Sequence, residues 1–147
     1  MSKKEDILNE LLVELFNHIL YLEEQNLQMK GIPLTMNEVH TLEAIKDAKD
    51  PIMSNVAKKL MITLGTMTTA IKKLEQKGYV ERIRDEKDAR IVRLTLSKEG
   101  HNVVAVHDNF HKNMIDTVLT DLTEKEEDVL LSSLVKIKNY FKRHDEY

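Results

Sequence analysis

The sequence predicts a mainly α fold with a small β wing, and three observations support this prediction. Apolar residues recur at helical spacing through most of the chain, while only two short runs alternate with a period of two residues. Helix-breaking residues are scarce, with four Gly and two Pro in 147 residues. Thr followed three residues later by Glu occurs at two positions where an apolar helical pattern begins.

The first two predicted helices lie in the N-terminal third of the chain. Apolar residues at helical spacing over residues 7–22 predict a long first helix, which should end near Gly31-Ile32-Pro33. Its apolar positions are too numerous for one thin seam, so we expect it to pack between partners. Thr35 and Glu38 form a capping box that opens a short second helix.

Two further short helices are predicted before the pattern changes. Asp50-Pro51 breaks the chain, and Ser54 is expected to cap the next helix. After a turn at residues 61–63, another helix should run to a stop at Gly78. Its predicted inner face consists of Met67, Ala70, Ile71 and Leu74. Two short helices joined by a tight turn are typical of a helix-turn-helix.

Alternating residues then predict a hairpin over 79–84 and 91–96, with a charged tip at 85–90. A hairpin directly after a helix-turn-helix is a wing. Ser97 should open a long helix, and a capping box of Thr123 and Glu126 should open the last one. The residues expected to face inward on that last helix are Val129, Leu130, Leu134, Ile137 and Phe141.

Charge is distributed unevenly along the chain. Residues 54–93 contain ten Lys and Arg against five Asp and Glu, whereas the whole chain carries a net charge of −3. A local basic block within an acidic protein is expected when one face of the protein meets phosphates. The predicted helix-turn-helix and wing therefore favour binding to double-stranded DNA.

Candidate DNA-binding residues fall on the second helix of the helix-turn-helix and on the wing. Small, polar and basic residues on the predicted outer face of the helix suit entry into a major groove. Arg residues on the wing suit a narrow minor groove, and Asp88 is placed to hold Arg90 extended. The full set is Ser54, Gly65, Thr66, Thr68, Thr69, Lys72, Lys73, Arg82, Arg84, Lys87, Asp88 and Arg90.

These residues resemble the MarR-type transcriptional regulators. Asp88-Ala89-Arg90, Leu94-Thr95 and Gly100 match the wing signature of that family. The runs 60–69 and 74–82 look most like the subgroup that represses fatty-acid synthesis genes in Gram-positive bacteria. Many family members have Arg where this chain has Thr69, so their base contacts are not transferred to that position.

The resemblance implies a dimeric MarR-like architecture within one structural domain. Residues 1–34 and 98–147 would form the dimerisation helices, and residues 35–97 the winged helix-turn-helix. It also implies a homodimer that represses fatty-acid synthesis genes, with long-chain acyl-acyl-carrier-protein as co-repressor. The apolar first helix and the helix after the wing suit an acyl chain, although such helices also suit a dimer core.

A zinc-responsive repressor is the alternative within the family. His107 and His111 are spaced as two ligands on one helix face, and His40 and Glu24 complete a set resembling the zinc site of zinc-sensing members. The same spacing of histidines is also expected if they form hydrogen bonds within the protein and bind no metal. We therefore expect no metal and no cofactor.

Other classes of function are less well supported. The chain has no Gly-rich phosphate loop, nucleophile elbow or Cys nucleophile, so an enzyme is not expected. It has no apolar run long enough to span a membrane and no signal-peptide pattern, so we expect a cytoplasmic protein. A helical interaction protein that does not bind DNA remains the alternative from another class.

Overall fold

The computed structural model describes residues 1–144. Over these residues the helices and strands are α1 (Lys3–Met29), α2 (Met36–Asp47), α3 (Met53–Lys59), α4 (Leu64–Gln76), β1 (Val80–Arg84), β2 (Val92–Leu96), α5 (Lys98–Thr120) and α6 (Glu124–His144). The order confirms the mainly α fold with a small β wing. None of these helices is long and apolar enough to cross a membrane.

The chain divides into two compact units, of which the first comprises Met1–Phe110 and the second begins at His111. The core of the first unit is made from the end of α1, from α2 to α4, from the hairpin and from the first turns of α5. Val80, Leu94 and Leu96 anchor the hairpin in this core. The wing and α4 are therefore supported by a shared set of buried side chains.

Both predicted capping boxes are present. Thr35 Oγ1 accepts from the backbone N–H of Glu38, and the Glu38 carboxylate accepts from that of Thr35. Thr123 and Glu126 make the same pair of bonds at the start of α6. Each pair satisfies N–H groups that a helix start would otherwise leave unbonded.

The prediction that Ser54 caps α3 is wrong, because long-range pairing sets the start of this helix. Ile52 forms an antiparallel bridge with Arg93, and the N–H of Leu94 donates to the carbonyl of Pro51 at 2.8 Å. This pairing keeps the chain extended up to Ile52, which is the N-cap residue and makes no side-chain capping bond. Ser54 consequently lies inside the first turn of α3.

The start of α5 is packed tightly against the turn between α4 and β1. Ser97 donates from its N–H to the carbonyl of Tyr79 and from its hydroxyl to the carbonyl of Gly78. A Cβ on Gly100 would lie 2.3 Å from the Tyr79 carbonyl oxygen. Only Gly fits there without displacing backbone, which accounts for the Gly at this position of the wing signature.

Long helices α1 and α6 leave most of their apolar side chains in water. Phe16 on α1 is 71% exposed, and Phe141 on α6 is 61% exposed. The residues predicted to face inward on α6 are all exposed in the single chain, namely Val129, Leu130, Leu134, Ile137 and Phe141. For a single chain the prediction that these residues face inward is therefore wrong, because no described residue of that chain covers the apolar side of α6.

Candidate nucleic-acid interface

The helix-turn-helix consists of α3, a four-residue turn at residues 60–63, and α4. Helix α3 ends in a Schellman motif, in which the N–H of Ile62 donates to the carbonyl of Ala57 and that of Met61 to the carbonyl of Lys58. Met61 occupies the position where Gly is usual, with a φ of 55°. Because Ala57 is small and buried, α3 and α4 can approach closely at this turn.

Helix α4 has the predicted division into a buried and an exposed face. Met67, Ile71 and Leu74 are fully buried. Thr63 caps the helix by accepting from the N–H of Thr66 at 3.1 Å. The residues predicted to point outward are all exposed, namely Gly65, Thr66, Thr68, Thr69, Lys72 and Lys73.

Two Thr hydroxyls on α4 are bonded to the helix itself. Thr68 Oγ1 donates to the carbonyl of Leu64 at 2.9 Å, and Thr69 Oγ1 donates to the carbonyl of Gly65 at 3.2 Å. A Thr hydroxyl carries one hydrogen, so while these bonds are kept both oxygens act as acceptors toward a ligand.

The tip of the wing presents Arg90 to solvent. Its guanidinium donates to both carboxylate oxygens of Asp88 at 3.0 Å, yet the side chain remains 91% exposed. Asp88 thus holds Arg90 in one direction while leaving it accessible. This is the arrangement that the spacing of the two residues predicts.

Two other Arg residues of the wing are fixed by contacts within the protein. Arg82 donates two hydrogen bonds to Glu75 on α4, at 3.0 and 3.1 Å. Arg93 bridges Asp50, at 3.1 Å, and Asp85, at 2.7 Å. Arg82 therefore differs from the free groove-reading residue that the sequence suggests, and Arg93 links the start of the wing tip to Asp50 before α3.

The remaining cations of the basic block are exposed. Within the part of the chain that the structure describes, they form no ion pair. They are Lys58, Lys59, Lys72, Lys73, Arg84 and Lys87. Unpaired surface cations are the groups that release counterions when they meet phosphates.

Carboxylates of the wing are held in their ionised form. The hydrogen bond from Arg93 and then the backbone N–H of Lys87 lower the pKa of Asp85. The side-chain and backbone hydrogen bonds from Arg90 lower the pKa of Asp88. Both sets of contacts persist at neutral pH, so the hairpin tip stays ordered by charge-assisted bonds.

An ion pair links α2 to the end of α4. Lys77 Nζ lies 2.8 Å from Oε2 of Glu38, the residue that also completes the capping box of α2. Burial raises the pKa of Glu38, but hydrogen bonds from Lys77 and Thr35 outweigh it and leave the pKa below its usual value. The recognition helix is thereby connected to α2 as well as to the wing.

A cluster of His and Glu residues lies away from this surface, among α1, α2 and α5. His107 is buried, and its Nε2 lies 3.2 Å from Oε1 of Glu43 and 3.9 Å from Oε1 of Glu23. The rings of His40 and His107 meet edge to face, with centroids 6.2 Å apart. Glu24, the acidic residue suggested by the sequence, is exposed, so Glu23 and Glu43 replace it in the cluster.

Comparison with known proteins identifies the fold and the family. A model of the MarR family matches residues 34–92, which contain the helix-turn-helix and most of the wing. The structure of Streptococcus pneumoniae FabT in complex with DNA superposes with a TM-score of 0.90 at 37% identity, covering 95% of this chain and 98% of that one. The chain belongs to the MarR family.

Two further relatives of this MarR-type transcriptional regulator are less similar in sequence. SarZ of Staphylococcus haemolyticus, an HTH-type transcriptional regulator, is 29% identical over 110 residues, which cover 72% of this chain and 71% of SarZ. The Staphylococcus aureus MepR–DNA complex has a TM-score of 0.73 at 21% identity, covering 90% of this chain and 97% of that chain, and supports the fold alone. Members of the family are regulators rather than enzymes.

Some residues of the MarR-type surface escaped the sequence reasoning. Leu64 is 54% exposed in the first turn of α4, where an apolar residue would be assigned to the core by default. Glu75 and Asp50 hold Arg82 and Arg93, over separations of 7 and 43 residues. No local pattern signals such pairs. Leu64 lies in helical phase with Met67, Ile71 and Leu74, so the apolar spacing does not reveal its exposure either.

Proposed function

We propose that this protein is a DNA-binding repressor of fatty-acid synthesis genes that acts as a homodimer. The single observation that carries the proposal is its likeness to Streptococcus pneumoniae FabT over nearly the whole of both chains. Long-chain acyl-acyl-carrier-protein is proposed as the co-repressor, so that operator affinity rises when lipid synthesis is sufficient.

DNA binding is supported by the exposed face of α4 and by the wing. Apart from Leu64, the exposed residues in the N-terminal half of α4 are Gly and Thr, which allow a close approach to base edges. Lys and Arg residues that form no ion pair among residues 1–144 flank it, and Arg90 extends from the tip of the wing. In this proposal α4 enters a major groove while Arg90 reaches an adjacent minor groove.

Dimerisation is supported by the uncovered faces of α1 and α6. Exposed apolar surface on this scale is unusual for a monomer. A second copy is the proposed cover, since symmetric dimers place two equivalent recognition helices on a palindromic site. Sedimentation at micromolar protein should give the mass of two chains, and the mass of one chain would contradict the proposal.

An apolar slot in the first unit supports the acyl co-repressor. Phe16, Ile19 and Leu20 of α1 line it together with Glu23 and His40, and its volume is about 210 Å³. Buried methylenes of an acyl chain each contribute about 0.8 kcal/mol. Affinity for acyl-acyl-carrier-protein should therefore increase with chain length up to the limit of the site.

The test measures fluorescence anisotropy of labelled duplexes taken from upstream of fatty-acid synthesis genes. Palmitoyl- and stearoyl-acyl-carrier-protein should tighten binding, whereas carrier protein without an acyl chain should not. By reciprocity, the duplex should tighten binding of the acylated carrier by the same factor. Salt-insensitive affinity, or equal affinity for unrelated duplexes, would instead support a helical interaction protein.

A zinc-responsive repressor is the second candidate, because ligand atoms of His40, Glu43 and His107 lie within 4.8 Å of one another. Ligands at about 2.1 Å from one zinc ion lie at most about 4 Å apart, and the 3.2 Å between His107 and Glu43 satisfies this limit. His111 follows His107 by one turn of α5. If zinc is the effector, chelation should weaken operator binding and His107→Ala should abolish the response to zinc.

A further inference from the structure

The exposed end of α4 is more apolar than a DNA-reading surface made of hydroxyls would be. Leu64 is the first residue of the helix and is 54% exposed. Thr68 is exposed one turn later, and Thr69 is exposed about 100° further around the helix. Leu64, Thr68 and Thr69 all expose methyl groups, and we call these three residues the methyl face.

Hydrogen bonding within the helix determines what the two Thr residues offer. Each hydroxyl donates its hydrogen to the carbonyl four residues earlier, that of Leu64 or of Gly65. The γ-methyl group is then the part of each side chain that can contact a neighbouring surface, and the oxygen can only accept a hydrogen bond. Thr66 differs, because its hydroxyl accepts from Thr63 and keeps its own hydrogen.

In the major groove, one base is distinguished by an apolar group. Thymine carries a C5-methyl group, which apolar side chains and the methyl group of Thr contact, and adenine carries an N6 donor for an accepting oxygen. We propose that the methyl face recognises thymine methyl groups, so that Leu64, Thr68 and Thr69 select T-rich half-sites. This inference rests on the proposed DNA binding and names the chemistry by which α4 discriminates among sequences.

Charged residues next to the methyl face have the complementary role. Lys72 and Lys73 follow on the next turn of α4, exposed and without an ion pair among residues 1–144. Their contacts with phosphates raise the affinity for all duplexes equally. Discrimination then depends on the methyl contacts, since the Thr68 and Thr69 hydroxyls could donate to a base only by breaking their bonds to the helix.

The experiment replaces thymine with uracil, which removes one methyl group and leaves every hydrogen-bonding group of the base in place. Duplexes are first selected from a random-sequence library by the full-length protein. Each thymine of an enriched half-site is then replaced singly, and the dissociation constant is measured. Loss of a contacted methyl should weaken binding about fourfold, whereas replacement outside the half-sites should have no effect.

Matched variants assign the effect to the methyl face. Thr68→Val keeps the methyl group and should retain the preference for thymine over uracil, whereas Thr68→Ser keeps the hydroxyl and should reduce it. Leu64→Ala should remove the preference at its own position. The control is Ile83→Ala, which truncates an apolar residue of the wing that is 55% exposed and should leave every thymine preference unchanged.

The outcomes separate this inference from the proposed function. Failure to enrich any duplex would contradict specific DNA binding itself. Enrichment followed by equal affinity for thymine and uracil at every position would overturn the methyl readout and leave the repressor proposal intact. A preference retained by Thr68→Ser and lost in Thr68→Val would also overturn it, because the hydroxyl would then carry the recognition.

Discussion

Glu75, in the last turns of α4, accepts two hydrogen bonds from the guanidinium of Arg82 on β1, at 3.0 and 3.1 Å. The recognition helix and the wing are thus joined directly by one bidentate ion pair. Both side chains are more than a third exposed, so the pair contributes little to global stability. Its effect should be local, on the direction of Arg82 and on the charge presented to DNA.

Replacing Glu75 with Gln should therefore raise non-specific DNA affinity with little change in melting temperature. The substitution releases Arg82 and removes a negative charge from the basic block, which should also steepen the dependence of log affinity on log salt. Glu81→Gln is the control. It removes one negative charge from β1, the strand that carries Arg82, but it does not release an Arg side chain. Equal effects of the two substitutions would show that the ion pair has no specific role.

Arg90→Ala should weaken DNA binding by roughly tenfold or more if the guanidinium enters a minor groove. Asp88 holds this side chain extended, so Asp88→Ala should produce a smaller loss through poorer positioning. Lys136→Ala on α6 is the control for removal of a positive charge outside the basic block. Unchanged affinity of the Arg90→Ala protein would argue against the minor-groove contact.

The order of the wing should depend on pH only in the acid range. Because the pKa of Asp85 is lowered in the folded protein, its contacts are fully present above the unfolded value of about 3.9 and are lost as pH falls through the folded value. The amide protection factors of residues 85–93, in which the intrinsic pH dependence of exchange cancels, should stay constant from neutral pH down to about pH 5 and decrease below about pH 4. Asp85→Asn should remove most of this acid transition, and an identical transition in both proteins would contradict the assignment.

Gly100→Ala should lower the free energy of unfolding by about 1–3 kcal/mol, the usual cost of overpacking. Its Cβ would lie 2.3 Å from a backbone oxygen that cannot move alone. Gly65→Ala is the matched control, since the nearest atom to its Cβ is 4.0 Å away and Ala has the higher helix propensity. Chemical denaturation should show destabilisation for the first and slight stabilisation for the second; the reverse order would refute the packing argument.

Local patterns predicted the helices and strands well, because their signals lie within a few residues of one another. Thr35 with Glu38, Thr123 with Glu126, and Gly78 at the end of α4 each specify a boundary by chemistry that the sequence displays. Ser54 failed as a cap because Ile52 pairs with Arg93, 41 positions further along. No rule confined to neighbouring residues can include that contact.

Two features of the sites could not be predicted from the sequence: the side of a helix on which a residue lies, and the direction of its hydrogen bonds. Glu23 and Glu24 are adjacent in sequence but about 100° apart around the helix, and only Glu23 is buried beside His107. The Thr residues of α4 were identified by position, whereas the direction of their hydroxyl hydrogens required the structure. The sequence therefore predicted which residue types lie at a site better than it predicted the directions of their side chains.

The bare faces of α1 and α6 tie the activity of this regulator to the amount of it that a cell makes. If a second copy covers them, dilution separates the subunits and leaves Phe16 and Phe141 in water. While most chains are separate, doubling the subunit concentration would raise the concentration of the paired regulator roughly fourfold. A modest change in synthesis or degradation would then shift the occupancy of weak operators more than that of strong ones.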